Sequence, residues 1–102
     1  MSTTIFEKNG AVLNVKPEGR LDTATSPALE EEVRAQMDGV REIIMDFSDV
    51  EYISSGGLRV LLALEQTLES QDGGLRLIHV NDNILEIFEL VGFMEVISVN
   101  EA

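Results

Sequence analysis

The chain has 102 residues, 44% of them hydrophobic, with seven basic against 19 acidic side chains and a formal charge of -12. That length holds one domain able to bury roughly two-thirds of its unfolded surface. No apolar run approaches the ~20 residues of a membrane span, and the charge repels phosphate backbones and anionic lipid, so nucleic acid and membrane are not expected partners. In chain order, the opening Met-Ser-Thr-Thr and Ile5-Phe6-Glu7-Lys8 lack the basic head and apolar middle of a secretion signal, which gives a cytoplasmic location as the expectation. Apolar stretches from Thr3 to Glu7 and Ala11 to Val15 flank Asn9-Gly10, the composition of a hairpin turn. The second strand is expected to continue past Pro17 toward Gly19-Arg20-Leu21, with Pro17 at an edge or bulge because it has no N–H to give a ladder.

A first helix is expected from Ser26-Pro27, with Ser26 as the capping residue and Pro27 in the first turn. Leu29, Val33 and Met37 would form its inner stripe, Glu30-Glu31-Glu32 would lie near its positive end, and Gly39 would end it. Glu42 to Phe47 is a short, nearly continuous apolar run, the pattern of a central parallel strand covered on both faces. After Ser48 to Ile53, read as a loop, Ser54-Ser55-Gly56-Gly57 opens a largely buried second helix running through Leu68 to the break at Gln71-Asp72-Gly73-Gly74. Leu75 to Val80 alternates as a strand, and Asn81-Asp82-Asn83 caps a third helix with Ile84, Ile87, Phe88 and Val91 inward. Gly92 would close it, and Phe93 to Val99 would form a last strand. The class is α/β: an opening hairpin, then alternating helices and strands in a mixed, mainly parallel sheet with right-handed crossovers.

The stretch from Met45 to Leu62, MDFSDVEYISSGGLRVLL, carries a strand into a helix through two hydroxyls and two glycines. A serine at such an entrance ordinarily caps the first turn. Two adjacent glycines would also let another molecule's backbone come close, and free first-turn amides can host an anion such as a phosphoryl group on Ser55. His79 has no acid or nucleophile near it in sequence and reads as structural. With no cysteine and a single histidine, neither a metal nor a cofactor is expected.

Taken together, Gly19-Arg20-Leu21-Asp22, Asp46-Phe47-Ser48-Asp49-Val50 with Tyr52-Ile53, and Ser54-Ser55-Gly56-Gly57-Leu58 resemble the STAS domains, specifically the stand-alone bacterial anti-sigma-factor antagonists. Gly73 to Leu77 and Ile87 to Phe93 add weaker likeness, so the resemblance spans nearly residues 1–102. It implies a phosphorylation site at Ser55, where the family has the first hydroxyl of an Asp-Ser-Ser/Thr-Gly-Leu motif. Ser54 stands where many members have aspartate and so rivals Ser55 as acceptor, and Gly56 stands where they have Ser, Thr or another small residue. The implied docking surface comprises Asp22, Ser54, Ser55, Gly56, Gly57, Leu58 and Arg59. Asp22 matches a family aspartate near the phosphate acceptor, although a loop-end aspartate capping Thr23 to Ser26 accounts for it equally well. The implied activity is non-catalytic partner switching. The unmodified protein would bind an anti-sigma factor that is also a Ser/Thr kinase, phosphorylation would release it, and a Ser/Thr phosphatase would reset it. A STAS subunit of a lipid-transport or stress-signalling assembly, a nucleotide or anion sensor, and a serine hydrolase are the other readings; the hydrolase lacks a credible base.

Overall fold

The computed structural model describes residues 4–101; Thr3, where the first strand is expected to begin, lies outside the described residues. Period-two alternation sets the main sheet. In β2 (Val12–Lys16), β4 (Glu42–Asp46) and β6 (Gly74–Ile78), the side chains of Leu13, Val15, Ile43, Met45, Leu75 and Leu77 are buried on one face. Strand β1 (Ile5–Asn9) returns antiparallel onto β2 through Gly10 at φ 63°, while β2, β4, β6 and β7 (Ser98–Val99) run parallel in the order β1-β2-β4-β6-β7.

Three helices, α1 (Ser26–Arg34), α2 (Ser55–Glu69) and α3 (Asp82–Leu90), enclose the core with the buried face of the sheet; α2 packs on β6, and α1 packs on α2. Leu61, Leu64 and Leu68 of α2 and Phe88 of α3 are fully buried, with Phe47 6.5 Å from Phe88 ring to ring. The expectation that β4 is covered on both faces is not met: Glu42, Ile44 and Asp46 are only half-buried, because the helices cover one side of the sheet.

One further strand is hidden from the periodicity, and another lies in a different sheet from the one expected. Glu18–Leu21 (β3) and Asp49–Ile53 (β5) pair in parallel as a separate two-stranded sheet, with a register shift between Gly19 and Arg20. The second strand therefore does not run on to Leu21. Buried Pro17 sits between the two sheets, where its missing N–H costs no ladder bond.

Helix ends differ from expectation as well. Thr25, not Ser26, is the N-cap of α1; Ser26 is wholly buried and its hydroxyl has no hydrogen-bond partner. The helix stops at Arg34, so Met37 packs on the core from the following turn, and Glu30 pairs with Arg34 at 2.9 Å. Strand β6 ends at Ile78, and His79 beyond it takes φ 58°. Val91 points outward, and Phe93–Glu95 forms a 3-10 turn in place of the first half of the last expected strand. The reason is that α3 ends at Leu90, so the helical spacing that would carry Val91 inward no longer applies, and Phe93 fills the space against Phe88 at 4.7 Å.

Candidate functional site

Where β5 ends, the Ser54 N–H donates to the Leu21 carbonyl at 2.9 Å, which ties the strand-to-helix junction to the end of β3. Ser54 is extended (φ -110°, ψ -177°), and its carbonyl accepts the Leu58 N–H at 3.0 Å, so it is the N-cap of α2 by backbone geometry. Its side chain makes no capping bond: Ser54 Oγ is buried without a hydrogen-bond partner. Ser55, the first residue of the helix, is exposed. The junction therefore presents one accessible hydroxyl beside first-turn amides that no side chain caps, at the positive end of a 15-residue helix. No acidic residue occupies that first turn.

The glycines let the chain pack closely on itself. A Cβ on Gly57 would lie 2.6 Å from both Ile53 Cγ1 and the Leu21 carbonyl oxygen. One on Gly56 would lie 2.9 Å from Thr23 Cα and Oγ1. Both positions are filled by the chain's own β3–α1 loop and β5, so the glycines let α2 begin pressed against those elements. Gly57 is buried and Gly56 half-buried; of the next two, Leu58 is half-buried against the core and Arg59 is exposed.

Thr23 thus brings the Asp22 loop against the start of α2. The Asp22 carboxylate is engaged within its own loop: Oδ1 accepts the Ala24 and Thr25 N–H groups, each at 3.0 Å, and the Thr25 hydroxyl lies 3.2 Å away. The Thr25 N–H bond is the main cause that holds this carboxyl below its ordinary pKa, with Arg20 at 3.8 Å contributing least. This is the loop-capping arrangement that the sequence allowed as one of two readings.

Two features escaped the sequence. Arg20 and Tyr52 face each other across β3 and β5, the guanidinium 4.4 Å from the ring centroid, beside an open groove that also includes Glu18, Asp22, Asp49 and Glu51. Only knowledge of the β3–β5 pairing could reveal it. His79 also has an acid beside it: the ring Nδ1 lies 2.9 Å from Asp46 Oδ1, across 33 positions of sequence. Partial burial works against the charge on Asp46, but the Ser48 N–H and His79 outweigh it and keep the carboxyl below its ordinary pKa. Among the described residues no hydroxyl hydrogen-bonds this histidine, and no group of three or more His, Asp or Glu could hold a metal ion. No helix of the described residues is long and apolar enough to cross a membrane.

Residues 4–102 match the STAS domain family. The anti-sigma-B factor antagonist of Staphylococcus aureus is 35% identical over 88 residues, covering 85% of this chain and 82% of that one. Among solved structures, an anti-sigma factor antagonist from Mycobacterium paratuberculosis superposes with a TM-score of 0.86 at 26% identity, over 100% of this chain and 87% of that one. The Bacillus cell fate determinant SpoIIAA in its phosphorylated form gives a TM-score of 0.74 at 17% identity, over 97% and 92%. The matched span, the identity to the relative and the shared arrangement of strands and helices lead to one conclusion: the chain belongs to the STAS domain family.

Proposed function

We infer that this protein is an anti-sigma-factor antagonist that acts by partner switching in the cytoplasm. Unmodified, it binds an anti-sigma factor with Ser/Thr kinase activity through the surface around Ser55, Arg59 and the Asp22 loop. The kinase phosphorylates Ser55, the complex separates, and a Ser/Thr phosphatase restores the binding form. The protein contributes a binding surface and a phosphate acceptor, and the phosphoryl transfer is its partner's chemistry.

The observation that carries this reading is the contrast between two neighbours: Ser55 is exposed at an uncapped helix entrance, whereas the Ser54 hydroxyl is buried. The names of the relatives support the role. A phosphoserine adds about -1.5 to -2 charges, which the α2 amides can accommodate on this protein's side. On the partner's side, one like-charge contact at ~5 Å costs about 3 kcal/mol at an effective dielectric near 20, roughly 100-fold in affinity. The bulk of the group under a closely packed partner adds to that, toward the ~5.5 kcal/mol that inverts a population from 99:1 to 1:99. No refolding is needed.

The test is mass spectrometry of the protein recovered from its host. Phosphate on Ser55, and an anti-sigma factor co-purifying with the unmodified fraction only, is the expected result. Phosphate on Ser54 alone, or a partner bound equally by both fractions, overturns the reading.

A further inference from the structure

The C-terminal stretch leaves apolar side chains in water. α3 closes at Leu90, Gly92 takes φ 70°, and the chain rolls into the turn Phe93–Glu95, from which only Phe93 enters the core. Leu90, Val91, Met94 and Val96 stay outside, 80%, 59%, 39% and 52% exposed. Among the described residues the other large exposed hydrophobics are Ile5 and Tyr52, each isolated in sequence, and Arg20 covers Tyr52. Single exposed apolar residues are ordinary, but four within seven positions mark an interaction surface.

Topology separates this surface from Ser55. Strands β4, β6 and β7 are parallel, so α2 and α3 both run from the strands' C-terminal end back to the N-terminal end. Ser55 begins the first of these helices and Leu90 ends the second.

Charge selects the occupant. Residues 82–101 carry five carboxylates and no Lys, Arg or His, and Glu89 and Glu95 flank the apolar side chains. A second copy would press acidic rim on acidic rim, each chain carrying -12, and anionic lipid is repelled in the same way. A positively charged partner gains from the same field. We propose that this end of the molecule docks a basic amphipathic segment of a partner protein. The segment's apolar face covers Leu90, Val91, Met94 and Val96, and its Lys or Arg side chains meet Glu89 and Glu95.

The experiment is an NMR titration of the intact, isotope-labelled protein with a Leu/Lys peptide of helical spacing, compared with a Leu/Glu peptide of the same spacing. Amide shifts should concentrate between residues 86 and 97 for the Leu/Lys peptide and be absent for the other. Leu90→Ser with Val96→Ser, both surface changes, should weaken binding about tenfold or more. Glu89→Gln with Glu95→Gln should weaken it and reduce its salt dependence, whereas Glu31→Gln with Glu32→Gln on α1 should leave it unchanged. Shifts spread evenly over all acidic surfaces, or equal binding of both peptides, would overturn the proposal. So would sedimentation showing that Leu90→Ser with Val96→Ser abolishes self-association, because a second copy would then be the occupant. Ser55→Ala should bind the peptide as the parent does, so failure here leaves the Ser55 reading standing.

Discussion

Gly57→Ala tests whether the entrance of α2 is held by close packing. In a helix interior alanine is about 1 kcal/mol better than glycine, so propensity alone makes this substitution stabilising. Packing opposes it: the new Cβ would sit 2.6 Å from Ile53 Cγ1 and from the Leu21 carbonyl oxygen, roughly 1 Å inside ordinary contact. Neither neighbour yields easily, since Ile53 is buried and the Leu21 carbonyl is fixed by the Ser54 N–H at 2.9 Å. Overpacking of this kind costs about 1–3 kcal/mol, and weakening the Ser54–Leu21 hydrogen bond adds about 1 kcal/mol. The net expectation is a destabilisation of about 1–3 kcal/mol, read as a lower urea midpoint at unchanged m-value and a Tm lower by about 5–15 °C. Gly74→Ala is the control, because its Cβ would meet only Glu65 Oε1 at 3.7 Å, and its stability should stay within about 0.5 kcal/mol of the parent. A Gly57→Ala protein as stable as the parent would refute the packing argument and return the glycine to the role of clearing space for a partner.

Other substitutions probe the same framework. Glu65 is buried, which raises its pKa, with Glu69 raising it further and the Leu75 N–H at 2.8 Å opposing. A carboxyl whose folded pKa is raised contributes most stability below its unfolded value of about 4.5 and loses it as pH rises through the folded value. Glu65→Gln keeps an acceptor for Leu75, so it should raise the unfolding midpoint at neutral pH and flatten its fall with rising pH. Ser54→Ala removes a buried hydroxyl without a partner, so stability should hold or rise by up to about 1 kcal/mol, and phosphorylation at Ser55 should persist. Loss of phosphorylation in that variant would make Ser54 the acceptor. Asp22→Ala should speed hydrogen exchange at the Ala24 and Thr25 amides that its carboxylate now holds, and unchanged protection would remove Asp22 from its loop-capping role.

Strand β6 is legible because Leu75 and Leu77 alternate with less buried partners, whereas Ile44 between Ile43 and Met45 makes β4 read as covered on both faces although the helices cover only one. β5 reads as loop because Asp49, Glu51 and Tyr52 are exposed, and β3 (Glu18–Leu21) reads as a continuation of β2 because nothing in the spacing shows that the chain changes sheets after Pro17. Their pairing in turn hid the Arg20–Tyr52 contact, and the Asp46–His79 pair joins residues too far apart in sequence to be matched. The Ser-Ser-Gly-Gly entrance was visible, but spacing alone could not tell which hydroxyl faces water or what lies against the glycines. Both depend on how the β3–α1 loop folds over the start of α2. Gly92 is legible as the stop of α3, but Val91 is misplaced because the helix ends at Leu90 and the helical spacing does not extend to its C-cap.

The most direct test of the account uses protein phosphorylated stoichiometrically on Ser55, verified by tandem mass spectrometry, and titrated against the anti-sigma factor of the same host. The phosphorylated form should bind at least roughly 100-fold more weakly than the unmodified form at the same salt concentration. Equal dissociation constants for the two forms would contradict the claim that charge gained at the entrance of α2 ejects the partner.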